Sequence, residues 1–199
     1  DDLEFPLIVK PPQEDASMGI TSASVVRDVG ELLRTLGEVH AEFRQPVMVE
    51  RYIDGREFYV GVLGNGHAEA LPVIEMDFTG FPSDQPKLAS WNAKWGEDGE
   101  GAGAEFAGTR SVVAEGLPEE LAERIRCVAV DTFHALRLRD YARIDLRVDD
   151  GGEIWVIEAN PNCYLERGAE FARAAAASGV EYDALIARIV ELAAARFAR

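Results

Sequence analysis

The chain has 199 residues, of which 47% are hydrophobic and 28% are charged, and this is enough apolar material for one large domain or two small lobes. Its formal net charge of -16 argues against a nucleic-acid partner, which needs a basic surface, and against binding to an anionic membrane. The two cysteines, Cys127 and Cys163, show no metal-binding spacing, so they predict reduced thiols in a cytoplasmic protein.

The first half of the chain predicts several strands and one helix. Hydrophobic periodicity and turn residues indicate strands at 5–10 and 20–26, a helix at 28–43, and strands at 46–52, 56–63 and 67–76. Residues 78–110 follow with many turn residues and little periodicity. A loop of this length in a compact domain is usually functional.

The second half predicts three helices and one pair of strands. The elements are a helix at 118–136, strands at 141–148 and 153–159, a short helix near 168–178, and an amphipathic helix from residue 182. Because most strands adjacent in sequence are predicted to form hairpins, we expect antiparallel sheets with helices on one side. The predicted fold class is therefore α+β.

The strongest chemical signal is the segment 141–162, YARIDLRVDDGGEIWVIEANPN. A hairpin turn at 149–152 that pairs Val148 with Glu153 would set Asp145 opposite Val156 and Arg143 opposite Glu158. Side chains alternate along a strand, so each face of this hairpin has its own character. The apolar face would carry Ile144, Leu146, Val148, Trp155 and Ile157, and the polar face would carry Arg143, Asp145, Arg147, Glu158 and Asn160.

Two interpretations of the polar face are open. Two carboxylates and an amide oxygen beside a guanidinium suit Mg²⁺, which prefers oxygen ligands and is often shared with nucleotide phosphates. The alternative is a solvated sheet face on which Arg143 and Glu158 form a cross-strand ion pair. The loop that follows Asn160 favours the metal site, because ligands are often bound where a strand ends in a structured loop.

Two segments near the start of the chain could contact a nucleotide. Lys10 ends a buried strand beside a loop that contains Ser17, where a lysine and backbone N–H groups could meet a phosphate. Glu50 and Glu57 flank residues 51–56, and this connection could hold an adenosine between backbone groups and a carboxylate. Each feature by itself is more often an ordinary charge at the surface or at a strand end.

Lys94 lies between two tryptophans in the long loop, in the sequence WNAKW. Aromatic residues around one lysine are unusual for a purely solvated segment. This favours a cation that reaches the phosphates when the loop closes.

Taken together and in this order, five segments resemble the ATP-grasp superfamily, and within it the D-alanine–D-alanine ligase group. The segments are IVKPPQEDASMGI, VMVERYIDGREFYVGVLG, NAKW, YARIDLRVD and VIEANPN. The resemblance covers nearly the whole chain and implies an ATP-grasp fold with a small lobe at 1–53, a large lobe at 54–199 and the nucleotide between them. It also implies ATP and Mg²⁺, with two metal ions, as cofactors.

The resemblance assigns a role to each matching position. Arg143 would be the catalytic residue that stabilises the transferring phosphoryl group. The nucleotide-binding residues would be Lys10, Ser17 and Lys94 at the phosphates, Glu50 and Ile53 at the adenine, and Glu57 at the ribose. The magnesium ligands would be Asp145, Glu158 and Asn160.

The implied function is an ATP-dependent carboxylate–amine ligase that acts through an acyl phosphate on an amino acid or peptide. The alternatives are an ATP-grasp ligase for a non-peptide or carrier-linked substrate, or a nucleotide-binding module without ligation activity of its own. The expected partners are small-molecule carboxylate and amine substrates. The N-terminal domain of the group is absent from this sequence, so a second copy of the chain or that missing domain is a further expected partner.

One departure from the group bears on the second substrate. The loop after Asn160, residues 161–166, lacks the Pro-Gly and Ser that the D-alanine enzymes use to hold the second substrate's carboxylate. Glu166 in this loop would repel a free carboxylate, or it would simply begin the next helix. We therefore expect a second substrate other than D-alanine.

Overall fold

The computed structural model describes residues 3–14, 16–90 and 108–197. The chain forms two compact units. The first unit combines Asp1–Asp54 with Phe78–Arg110, and the second combines Gly55–Asp77 with Ser111–Arg199. The division into lobes at 1–53 and 54–199 stays a prediction. Within the described ranges, no helix has both the length and the apolar character needed to cross a membrane.

The first unit contains a three-stranded sheet and one long helix. Its elements are strands β1 (Leu7–Lys10), β2 (Val25–Val26) and β3 (Met48–Arg51) and helix α1 (Val29–Phe43). Strand β1 lies between the other two and is antiparallel to both. The core is made by Leu7, Val9, Val26 and Val39, with α1 covering the sheet. The predicted strand at 20–26 is shorter in the structure, because Ser22–Ser24 forms a 3-10 turn with a capping box at Thr21.

The second unit is built on a six-stranded sheet with the order β7-β6-β4-β8-β9, and β5 also pairs with β4. The strands are β4 (Arg56–Gly64), β5 (Ala68–Ala70), β6 (Ile74–Asp77), β7 (Arg110–Val113), β8 (Asp140–Val148) and β9 (Ile154–Asn160). The predicted strand at 67–76 is divided because it contains Pro72, which has no N–H group for a ladder. The helices are α2 (Glu119–Ala135), α3 (Glu170–Ala177) and α4 (Tyr182–Phe197).

The two faces of this sheet differ as the alternation of side chains requires. One face packs against α2 and forms the main core. Its buried members are Phe58, Val60, Val62, Ala142, Ile144, Leu146 and Val148 from the two central strands, and Ile125, Ala129 and Phe133 from α2. The opposite face is polar along β8 and is partly covered by α3. The ring of Phe171 lies over Gly61, where an added Cβ would stand 2.9 Å from ring carbons.

The antiparallel pairing of β4 with β5, β6 and β8, and of β8 with β9, together with the helices, confirms the predicted α+β class.

Candidate functional site

The β8–β9 hairpin brings the predicted metal ligands together, but in a different register from the predicted one. Val148 pairs with Ile154 and not with Glu153. The reason lies in the turn, where the Asp149 carboxylate accepts hydrogen bonds from the backbone N–H groups of Gly151 and Glu153, at 2.9 and 3.0 Å. This longer turn moves Glu153 out of the ladder.

The predicted cross-strand pairs are consequently wrong. Asp145 lies opposite Glu158 and Arg143 lies opposite Asn160. In an antiparallel pair, opposed residues project to the same face, so these four side chains share the polar face. The two carboxylates are direct neighbours across the strands.

A β-bulge on β9 makes this arrangement possible. Leu146 pairs with Val156 while Asp145 pairs with Glu158, so Ile157 is an extra residue on β9. Without the bulge, Asp145 would lie opposite Ile157, and Glu158 would turn to the apolar face. Bulges often re-aim a side chain beside a functional site. The bulge also corrects the prediction for Trp155, which lies opposite Arg147 and so projects to the polar face.

Arg143 and Asp145 form a buried bidentate ion pair. Arg143 donates from Nε to Oδ1 at 2.7 Å and from Nη2 to Oδ2 at 2.8 Å, and the two side chains are 14% and 6% exposed. Burial acts to lower the pKa of Arg143, but the charge and hydrogen bonds of Asp145 outweigh it, so the pKa is raised above its ordinary value. The guanidinium is therefore cationic at neutral pH.

The oxygen atoms on this face have the chemistry of ligands for a hard cation. The Glu158 carboxylate is exposed and makes no hydrogen bond or ion pair with the part of the chain that the structure describes. Asn160 donates from Nδ2 to Asp145 Oδ2 at 3.4 Å. In the described residues no group of three or more His, Cys, Asp and Glu could hold a metal, so a site here needs the amide oxygen of Asn160 as its third ligand. Two carboxylates and an amide oxygen fit Mg²⁺.

Two groups that sequence reasoning missed complete the surroundings of Arg143. Glu170, at the start of α3, accepts from Arg143 Nη1 at 3.2 Å and from Ser111 Oγ at 2.8 Å. The Arg143 guanidinium lies over the Tyr59 ring, 4.8 Å from its centroid. The alternation of Tyr59 with Glu57 along a predicted strand could have placed Tyr59 on this face. Nothing local in the sequence pointed to Glu170.

Glu57, predicted to bind ribose, lies on the same polar face in β4. Its Oε1 accepts from the Tyr59 hydroxyl at 2.7 Å, and its Oε2 accepts from Arg147 Nη2 at 2.7 Å and Nε at 3.2 Å. Burial, reinforced by the charges of Glu57 and Asp145, raises the pKa of Tyr59 well above its ordinary value, so the phenol remains a neutral donor. The ribose role of Glu57 stays a prediction.

The loop after Asn160 supplies a buried thiol and an exposed carboxylate. Burial raises the pKa of Cys163 to about 12, so this thiol is not a nucleophile at neutral pH. Asn162 accepts from the Tyr141 hydroxyl at 2.9 Å. Glu166 is exposed and shares a hydrogen bond with Tyr164.

The nucleotide residues predicted for the first unit lie in two places within it. Lys10 of β1 forms an ion pair with Glu50 of the adjacent strand β3, and Ile53 is buried just beyond β3. Ser17 is in a left-handed conformation with a φ of 64° and donates its hydroxyl to the carbonyl of Ala89 at 2.8 Å. These roles remain predictions, and Lys94 lies outside the described residues.

Comparison with known proteins places this geometry in context. Residues 1–191 match the sequence profile of the family described as D-ala D-ala ligase C-terminus. A protein of Sinorhizobium fredii named uncharacterized protein y4sG is 34% identical over 197 residues, which cover 99% of this chain and 54% of that protein. The D-alanine–D-alanine ligase of Desulfotalea psychrophila is 31% identical over 192 residues, which cover 96% of this chain and 55% of that enzyme.

Solved structures agree with the sequence relatives. The D-alanine–D-alanine ligase of Bacillus anthracis complexed with ATP has a TM-score of 0.68 and 29% identity, covering 94% of this chain and 52% of that chain. A second structure of the ligase from that organism has a TM-score of 0.71 and 31% identity, covering 94% and 54%. The chain spans about half the length of the curated relatives it matches.

Proposed function

This chain belongs to the family of D-alanine–D-alanine ligase C-terminal domains, and on that premise we propose that it is the ATP-binding part of an ATP-dependent carboxylate–amine ligase. Its fold is ATP-grasp, as the resemblance implied. The observation that carries the proposal is the polar face of the β8–β9 hairpin. There Arg143, Asp145, Glu158 and Asn160 gather on one side of the sheet.

The proposed reaction has two steps. An oxygen of the substrate carboxylate bonds to the γ-phosphorus of ATP, and the bond from that phosphorus to the bridging oxygen breaks, which releases ADP and leaves an acyl phosphate. The amine nitrogen of the second substrate then bonds to the acyl carbon, inorganic phosphate leaves, and the nitrogen loses a proton.

Arg143 suits the charge that develops on the phosphoryl oxygens. It is permanently cationic, and Asp145, Glu170 and the Tyr59 ring restrain its guanidinium on different sides. A donor that is already oriented needs no reorganisation as the charge develops. Loss of one such donor typically lowers kcat by about 10² to 10³.

Asp145, Glu158 and Asn160 would hold Mg²⁺, which would supply positive charge beside the phosphates. Two observations support this. All three ligands offer oxygen atoms, and the exposed Glu158 carboxylate has no side-chain partner among the described residues that a cation would have to displace. Asp145 is different, because Arg143 already neutralises its charge.

For the nucleotide itself, we assign the phosphates to Lys10, Ser17 and Lys94, the adenine to Glu50 and Ile53, and the ribose to Glu57. The pairing of β1 with β3 supports this assignment in part, since it brings Lys10 and Glu50 into an ion pair on one small sheet. An ATP complex of a related ligase supports the choice of nucleotide.

Calorimetric titration of the complete gene product with ATP, with and without Mg²⁺, tests the proposal. We expect binding that depends on Mg²⁺, and we expect Glu158→Gln to lose that dependence. Glu153→Gln is the matched control, since Glu153 is an exposed glutamate of the same hairpin that lies outside the paired strands. Equal ATP affinity with and without Mg²⁺, in a folded sample, would contradict the proposal.

The substrates are proposed to be an amino acid or peptide carboxylate and an amine. The loop at 161–166 carries Cys163 and exposed polar groups in place of Pro-Gly and Ser, so D-alanine is not expected to be the best second substrate. ADP release with ATP and a panel of amino acids decides this. Nucleotide binding without ADP release for any carboxylate and amine would favour a binding module instead.

A further inference from the structure

We infer that Glu170 is a positioning residue that holds Arg143 in place for the phosphoryl group, an inference that rests on the function proposed above. Glu170 and Arg143 are 27 positions apart and meet where the start of α3 reaches β8. One carboxylate oxygen accepts from Arg143 Nη1 at 3.2 Å, and the other accepts from Ser111 Oγ at 2.8 Å. The carboxylate thus bridges β8 and β7.

The contacts of Glu170 differ from those of an acidic residue that only stabilises the start of a helix. An acidic residue in the first turn of a helix often serves only to offset the helix dipole. The contacts of the Glu170 carboxylate, however, go to Arg143 and Ser111 and not to the exposed N–H groups of its own helix. Its two oxygens are therefore committed to other elements of the sheet.

Ser111, the partner of Glu170 on β7, is also held through its backbone. Arg173, one turn further along α3, donates to the backbone carbonyls of Ser111 and Gly168. These bonds tie β7 to α3 and to the segment before it, beside the hydrogen bond between Ser111 and Glu170. A support of this kind is what a residue needs if it is to orient another side chain.

Asp145 alone would not keep the Arg143 guanidinium oriented when a cation is bound. It binds Nε and Nη2 of Arg143, but it is also a proposed cation ligand, and a cation that takes one of its oxygens weakens its hold on the arginine. Glu170 contacts Nη1 and is outside the proposed cation set. An arginine has five N–H donors, and these three bonds leave one on each terminal nitrogen for a phosphoryl oxygen.

The kinetic test uses Glu170→Gln in the complete gene product, with Glu120→Gln as the matched control. Glu120 is an exposed glutamate that, like Glu170, lies in the first turn of a helix, here α2. Loss of a hydrogen bond to a charged group predicts a fall in kcat of about tenfold to a hundredfold for Glu170→Gln, with the KM for ATP changed by less than about twofold. In an Arg143→Lys background the same substitution should have little further effect, because its target is gone. Equal effects in both backgrounds would indicate a merely structural role and would overturn the inference.

A second readout does not depend on ligation. The Nη1–H of Arg143, which donates to Glu170, can be followed by ¹⁵N NMR at low temperature and assigned by its loss in Arg143→Lys. We expect its exchange with solvent to be about tenfold faster or more in Glu170→Gln and unchanged in Glu120→Gln. Unchanged exchange in Glu170→Gln would overturn the inference whatever the activity. Faster exchange in a protein without ADP release would uphold the positioning contact and contradict the proposed ligase function.

Discussion

Asp145 and Glu158 are the two carboxylates proposed to bind the metal, and substituting each of them separates a catalytic role from a structural one. Asp145→Asn and Glu158→Gln both remove one negative charge with little change of shape. Their surroundings differ, because Asp145 is buried in a bidentate pair with Arg143 whereas Glu158 is exposed. We expect both variants to lose turnover by about 10² or more, since each removes charge from the proposed cation site.

Their stabilities should diverge. The two bonds that Arg143 makes to Asp145, at 2.7 and 2.8 Å, cannot both form to an amide, because its NH₂ group would face a guanidinium N–H. Breaking a buried ion pair costs about 3–5 kcal/mol. Glu170 still holds Arg143, so we expect the lower end, about 3 kcal/mol, which corresponds to a fall in Tm of roughly 6–12 °C. Glu158→Gln should lie within about 0.5 kcal/mol of the unsubstituted protein.

The assays are urea unfolding followed by circular dichroism and, in parallel, ADP release under saturating ATP. Glu153→Gln controls for the loss of an exposed charge from the same hairpin. Full turnover by Glu158→Gln would refute the metal assignment. Asp145→Asn that is as stable as the unsubstituted protein would refute the reasoning from the buried pair.

Four further predictions concern substitutions or treatments of the second unit. Arg147→Met removes the guanidinium that neutralises the Glu57 carboxylate, in a pair whose side chains are 4% and 11% exposed, so it should cost about 3–5 kcal/mol in urea unfolding. Adding Glu57→Gln should recover part of that loss. Gly61→Ala should cost about 1–3 kcal/mol, because a Cβ would stand 2.9 Å from an aromatic ring and a leucine methyl; a neutral result would show that α3 shifts freely. At pH 8 a thiol reagent should label the exposed Cys127 in the folded protein and Cys163 only after unfolding. The raised pKa of Cys163 contributes stability that is present below about pH 8.5 and is lost as the pH rises toward 12, which unfolding curves at increasing pH would detect.

Much of this protein could be predicted from residues that are close in sequence. Alternation with a period of two placed Arg143, Asp145 and Arg147 on one face of a strand, and helical spacing identified α1 and α2 within one residue of their ends. The α+β class and the family followed from the order of such segments. These features depend on local backbone geometry, which each short segment carries by itself.

The tertiary structure decided how those segments meet. The strand register depends on hydrogen bonds to Asp149 and on the bulge at Ile157, and a shift of one residue exchanges the two faces of a strand. The Arg143–Glu170 contact spans 27 residues and the Arg147–Glu57 pair spans 90. Such contacts arise because β4 and β8 are neighbours in the sheet and α3 returns to it, and pairings over these separations leave no periodic trace in the sequence.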